Sequence, residues 1–321
     1  MPSWTRASGT GSPGAPALAG AAGEGAAVTL PLRALPPARP WYVSVWGQML
    51  RRKPLGTLGG VIVLGMLAGA VLADLIAPYG YAETSLRERL QPSSATHWLG
   101  TDQLGRDLLT RVLYGARVSL YVGFGAVLLG SAMATGIGIA SAYFGGRVDL
   151  LVQRLVDAWM AFPGLLLLMS IMSMVGPGVW NITLVLGVAF GIQNSRVVRG
   201  VALSIKEHTY IEGARAAGAG HTRVTAIHIL PNVLPTIIVV ATTGLSTVIL
   251  TEASLSFLGL GVPPPYPTWG GMLSLQGLDH MYQAPWIAVW PAVALSLAVF
   301  GFNMLGDALR DLLDPRLRGG G

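Results

Sequence analysis

From residue 55 onward, long uncharged runs alternate with polar stretches. Residues 55–77 hold one charge, Asp74, near their far end, and residues 118–141 hold none. A helix needs about 20 apolar residues to cross the hydrocarbon core of a bilayer, so these runs are the first two predicted spans. Residues 158–195 are also uncharged. As one helix they would be roughly 57 Å long at ~1.5 Å per residue, nearly twice the bilayer core. Gly176-Pro177-Gly178 interrupts them, which predicts a hairpin of two spans near 155–175 and 180–200. Residues 233–257 and 286–307 give the fifth and sixth. The expectation is an all-α polytopic membrane protein with six transmembrane helices.

The polar stretches differ in character. In residues 97–117, apolar positions 108, 109, 112 and 113 form one helical face. Asp107 and Arg111 stand four apart, a spacing that supports a helix, and Thr101 or Asp102 offers a cap. The pattern predicts a short interfacial helix over 97–114, lying along the outer membrane surface. Residues 259–285 are dense in turn formers, with Pro263-Pro264-Pro265 and Trp269-Gly270-Gly271. Residues 207–231 are the only long charged interruption in the second half of the chain. Here Glu207, Glu212, Arg215 and Arg223 stand among Gly213, Ala214, Ala216, Ala217, Gly218, Ala219 and Gly220. A charged surface with few bulky side chains lets another backbone come close.

Composition agrees with the pattern. Of 321 residues, 52% are hydrophobic and 11% charged, with mean hydropathy +0.57, against roughly 25% charged in soluble domains. Residues 1–40, rich in Gly, Ala, Ser and Pro, lack the apolar content for a core and read as a disordered cytoplasmic tail rather than a cleaved leader. Residues 41–90 form an N-terminal segment carrying the first span, with Trp41, Tyr42 and Trp46 placed to sit at headgroup level. The sequence contains no cysteine, so thiolate metal sites and disulfides are excluded. Five scattered histidines form no metal-ligand spacing, and no cofactor is implied.

The net charge of +6 reads as topology, not as nucleic-acid binding. Outside residues 1–40, thirteen Lys and Arg flank the spans on the N-terminal side (51, 52, 53, 147, 154, 196, 199, 206, 215, 223, 310, 316, 318). Five lie on the other side (87, 89, 106, 111, 117). Basic residues of short loops stay in the cytoplasm, which places both termini, the 313–321 tail and the 207–231 segment there. Within that segment, residues 207–217 predict a helix, Gly218 and Gly220 a turn, and Thr222 the cap of a second helix. The result is a finger of helix, turn and helix; the plainer alternative is an amphipathic linker.

The spacing is also specific. Glu212-Gly213-Ala214, Gly218 four residues after Ala214, and His228-Ile229-Leu230-Pro231 resemble the EAA motif of ABC importer permeases. Gly213 stands where the motif has its first Ala, one small residue for another. HWLGTDQLGRD (97–107), GARVSLYVG (115–123), MAFP (160–163) and LSFLGLG (255–261) resemble the C-type permease subunit of the dipeptide, oligopeptide and nickel importers, from about residue 41 to the C-terminus.

The resemblance implies a permease domain over 115–312 and a cytoplasmic coupling helix seated in an ATPase cleft. It implies that Glu212 meets a basic residue there, that Gly218 makes the turn, and that Gly213 and Ala214 give close contact, with Arg215, Ala217, Leu230 and Pro231 completing the motif. It implies four partners besides the bilayer: a second, B-type permease, two ATP-binding-cassette subunits, and an extracytoplasmic solute-binding protein docking near 97–114 and 259–285. The chain lacks an ATP site of its own, because a P-loop needs a lysine after glycine, and Lys53 follows Arg52 while Lys206 follows Ile205.

Two polar residues near the spans' ends are candidate pathway or gate positions. Glu252 either lines the pathway or sits solvated at the outer interface, since carboxylates buried in lipid are costly and functional or paired. Asn303 either gates or marks the water boundary. Arg196 and Arg199 are placed to reach the cytoplasmic headgroups. A secondary transporter would need charges mid-span and internal repeats, and a membrane hydrolase a nucleophile–base pair or HExxH; none of these is evident.

Overall fold

The computed structural model describes residues 53–274 and 279–313. The predicted tail 1–40, the interfacial lead-in before Lys53, and residues 314–321 lie outside the described residues. Among the described residues the labelled helices are α1 (Pro54–Val71), α2 (Leu108–Phe144), α3 (Gly146–Met160), α4 (Gly164–Val175), α5 (Val179–Lys206), α6 (Thr209–Ala216), α7 (Leu230–Phe257), α8 (Trp269–Met272) and α9 (Trp286–Leu313), with short turns of helix at Ala73–Ile76 and His221–Arg223 left unlabelled. Four stretches are long and apolar enough to cross a membrane: α1, α2, the continuous run His221–Phe257, and α9; the bent pair α3–α4 makes a fifth if counted as one. Helix α5 falls outside that set because Asn181, Gln193, Asn194 and Arg196 dilute its apolar content.

Two expectations are corrected. No separate interfacial helix occupies 97–114. Residues 97–107 are loop and turn, and helix begins at Leu108, where the Asp107 carboxylate accepts from Thr110 N at 2.8 Å. Asp107, not Thr101 or Asp102, is the cap. The helix then runs without a break through the second span. The loop before it has other obligations: Leu90 N donates to Asp102 O (3.1 Å), Thr101 N to Gln91 O (3.0 Å), and Trp286 Nε1 to Thr101 O (3.1 Å). Gly100 and Gly105 take φ of +83° and +70°, a left-handed conformation that ends helix propagation.

The predicted 155–175 span is likewise not one helix. It breaks at residues 161–163, and α3 and α4 meet at 89°. Pro163 has no N–H to donate and restricts Phe162 to extended backbone.

Small residues set the helix crossings. A Cβ added at Gly130 of α2 would lie 2.6 Å from Gly187 O of α5, and one at Gly138 would lie 2.7 Å from Ser195 O. Pairing runs 125 with 183, 130 with 187 and 138 with 195, so α2 and α5 are parallel. Gly56 and Gly59 of α1 face Ala308 and Gly301 of α9 in antiparallel order. Gly123 of α2 meets Ile249 of α7, and Gly306 of α9 meets Thr243 of α7. These contacts set α2 parallel to α5 and α1 antiparallel to α9. Lys53 donates to Asp311 at 2.5 Å, which brings the start of α1 and the last turn of α9 to the same end as residues 207–231.

Replacing Gly130 by Val forces backbone apart, and overpacking of this kind costs about 1–3 kcal/mol. Gly136 has open space around it. Gly130→Val is expected to lower the thermal unfolding midpoint of the detergent-solubilised protein and Gly136→Val to leave it nearly unchanged; equal midpoints for the two contradict the crossing described.

Candidate functional site

The 207–231 segment folds as helix, turn and helix. His208, with extended backbone, precedes α6. At the other end Ala219 N donates to Ala214 O (3.0 Å) and Gly218 N to Arg215 O (2.9 Å), with Gly218 at φ +84°. This pair of bonds, closed by a left-handed residue, is the Schellman stop, and it explains why glycine stands at 218. Gly220, not Thr222, then caps the next turn. Residues Val224–Ile229 are π-helical, with Leu230 N reaching back to Thr225 O. Pro231 has no N–H for the carbonyl of residue 227, and a widened turn is one way to accommodate that loss.

The segment is bolted down by its underside. Ile211, Val224, Ile229 and Val233 are each fully buried, packed with Ala142, Tyr143, Val198, Ala202 and Ile205 at the ends of α2 and α5. Lys206 Nζ donates to Ala142 O (3.0 Å) and Tyr143 O (2.8 Å), so a cation caps the negative end of the α2 macrodipole. The Tyr143 hydroxyl and His221 Nδ1 are 2.7 Å apart, and the Arg215 guanidinium stands 5.1 Å from the centre of the Tyr143 ring. Two ion pairs brace the same end. Arg199 binds Asp149 through Nε (2.6 Å) and Nη2 (2.5 Å), and Arg196 pairs with Asp157. Both arginines are therefore engaged with α3.

Glu212, Gly213, Arg215, Ala216, Ala217 and Gly218 are each exposed and Ala214 is half-buried. Leu230 and Pro231 sit apart from it, at the start of α7, Leu230 half-buried and Pro231 exposed. The side chains that anchor the finger, Tyr143, Lys206 and His221, were not among the sequence candidates. Nothing in their spacing marks them, since each acts through a residue distant in the chain.

The two candidates within the bundle are braces in this structure. Glu252 is fully buried, so it is not a solvated interfacial residue; its carboxylate accepts from Ser119 of α2 (3.2 Å) and Ser256 (2.7 Å). Asn303 is half-buried and its Oδ1 accepts from Ser246 of α7 at 2.7 Å. Among the described residues no group of three or more His, Asp or Glu could hold a metal ion.

Residues 127–319 match the family described as the binding-protein-dependent transport system inner membrane component, and residues 41–92 match the N-terminal TM domain of oligopeptide transport permease C. The chain is 41% identical over 288 residues to the dipeptide transport system permease protein DppC of Alkalihalophilus pseudofirmus, covering 88% of this chain and 94% of the relative. It is 40% identical over 281 residues to the glutathione transport system permease protein GsiD of Pectobacterium atrosepticum, covering 87% and 92%.

Truncating Ile211 to Ala opens a cavity under α6, a change worth about 2–5 kcal/mol at a well-packed site. Amide exchange over residues 207–217 is expected to accelerate in Ile211→Ala while α9 keeps its protection; unchanged exchange over 207–217 contradicts the bolted finger.

Proposed function

From the premise that this chain belongs to the binding-protein-dependent transport system inner membrane components, as a C-type permease of the peptide and nickel ABC importers, we propose that it passes short peptides inward and is driven through residues 207–231. It is a non-catalytic, multi-pass subunit of the inner membrane. The finer reading assigns it six spans, α5 being the sixth. Asn181 bonds to the end of α4 and Arg196 to Asp157 of α3, which satisfies these polar groups of α5 inside the protein, and the six passes run alternately between the two ends of the bundle. Both termini and the finger lie in the cytoplasm, since the excess of Lys and Arg gathers at that end.

One observation carries the coupling proposal: the EAA-type residues Glu212, Gly213, Ala217 and Gly218 are exposed on a finger whose other face is fully buried against α2 and α5. A surface built to be gripped is thus rigidly joined to helices that cross the bilayer. The grip is the cleft of an ATP-binding-cassette subunit, with Glu212 meeting a basic residue there and the small residues allowing close approach. Two such ATPases, a B-type permease completing the pathway and an extracytoplasmic solute-binding protein complete the assembly. In this reading residues 41–90 are an N-terminal segment carrying the first transmembrane helix and residues 115–312 the permease domain. Glu252 and Asn303 hold α7 to α2 and α9 and break when the pathway opens. Cargo is a short peptide, by analogy with relatives named for dipeptide and glutathione transport; nickel is the poorer reading.

The test is co-purification from the native host with tagged protein, alongside peptide uptake. Wild type is expected to bring down an ATPase. Glu212→Lys reverses the charge at the grip and is expected to cut uptake at least about tenfold, the effect of losing one charge-assisted contact. An ATPase that stays bound with uptake unchanged contradicts the role given to Glu212, and no ATPase with wild type contradicts the whole reading.

A further inference from the structure

At the end of the bundle opposite the finger, the loop before α2 and the loop after α7 enclose a cavity of about 530 Å³. That is the size of a small-ligand site, and such sites pair apolar walls with a few placed polar groups. Leu104, Val262, Pro263, Tyr266 and Met272 supply apolar wall, while Asp102, Arg106 and Arg111 supply charge. Both arginines are only 8% exposed. Arg106 Nε donates to Asp102 Oδ2 at 2.6 Å, and Arg111 Nε lies 3.5 Å from that same oxygen. Arg111 Nη1 donates to Tyr81 O (3.1 Å). The other Asp102 oxygen accepts the backbone N–H groups of Leu104 (2.8 Å) and Arg106 (3.0 Å).

Two guanidinium groups therefore share one carboxylate whose oxygens are already used. The neighbouring carboxylates are committed elsewhere. Asp107 caps α2 and pairs with His97 Nδ1 at 3.0 Å; Glu252, outside the cavity lining, is held by Ser119 and Ser256. Among the described lining residues the balance is two cations to one anion. A desolvated surplus cation is costly unless an anion comes to it, and the planar guanidinium fork matches a carboxylate.

We propose that this cavity receives the cargo's carboxylate, the α-carboxylate that every unmodified peptide carries, between Arg106 and Arg111 at the outer mouth of the pathway. The inference rests on the peptide reading above. It commits to the cargo over a docking protein because the arginines are recessed in a cavity wall. A peptide handed over at this end finds its anionic terminus fixed and its remainder against apolar wall. Asp102 keeps the two cations from repelling one another while the site is empty.

The experiment uses the assembled complex in proteoliposomes, with its binding protein saturated by the dipeptide Ala-Ala as free acid. Uptake and binding-protein docking affinity are both measured. Arg106→Gln and Arg111→Gln are each expected to slow uptake about tenfold with docking affinity unchanged, uptake being compared at equal amounts of folded complex because loss of a buried ion-pair partner also lowers the thermal midpoint. Arg111→Lys, which keeps the charge but not the planar fork, is expected to be faster than Arg111→Gln and slower than wild type. Three results overturn the proposal: uptake matching wild type in both Gln variants; docking affinity falling in parallel with uptake, which places the arginines against the binding protein; or a Lys variant as slow as Arg111→Gln, which shows that charge at this position does not act on the cargo. A wild-type complex that moves another solute but no peptide sinks the cargo reading itself, and is distinguishable from variants that match a peptide-transporting wild type.

Discussion

The contact on which the rest depends is the crossing of α2 and α5 at Gly130, Gly187 and Gly191. A Cβ at Gly130 would sit 2.6 Å from the carbonyl oxygen of Gly187 and 3.0 Å from the amide nitrogen of Gly191. With lipid tails as apolar as leucine, helices in a bilayer gain little from burying leucine against leucine. Close backbone approach, which multiplies dispersion contacts, takes over that role. Because the contact repeats at Gly138 and Ser195, the two helices lie parallel along much of their length. Their shared end is the platform on which the 207–231 finger sits.

Mechanical consequences follow from the length of α2. Its 37 residues make a rod of roughly 55 Å, capped by Asp107 at one end and by Lys206 at the other. The charged cavity of Arg106 and Arg111 stands at its start and the finger at its finish. Ser119 ties it to Glu252 of α7 on the way. A displacement applied to the finger thus has a continuous packed route to the opposite mouth. The finger is joined to the rod through core: Ile211, Val224 and Ile229 have no exposed surface.

Much of this was legible in the sequence, for physical reasons. Span positions follow from charge-free runs, and the finger from small residues with Gly218 at the only place where a left-handed turn ends α6. The misjudged elements share a cause. Residues 97–107 contain a helix-like apolar face just beyond them, yet their glycines and their hydrogen bonds to residues 88–91 and Trp286 commit them to loop, and such long-range ties leave no periodic trace. Pro163 interrupts the 155–175 run, but the absence of charge from 158 to 195 hides that break from a reading based on charge alone. Helix α5 has the length of a span, and its polar side chains bond within the protein: Asn181 donates to Gly176 O at the end of α4 (3.1 Å), Asn194 to Phe190 O of its own helix (2.9 Å), and Arg196 and Arg199 pair with Asp157 and Asp149 of α3. The anchors Tyr143, Lys206 and His221 are 15 to 78 positions apart, beyond any local pattern.

The central claim is that the exposed face of α6 is where force enters. The absence of native cysteine makes a single-cysteine measurement clean. Ala216→Cys, carrying a photo-activatable cross-linker, is to be compared with Tyr282→Cys, which is exposed at the opposite end, in membranes holding the whole transporter. The account expects an ATPase subunit joined covalently to position 216, identified by mass spectrometry, and none joined to position 282. An ATPase captured at 282, or none at 216 while the transporter remains active, would contradict it.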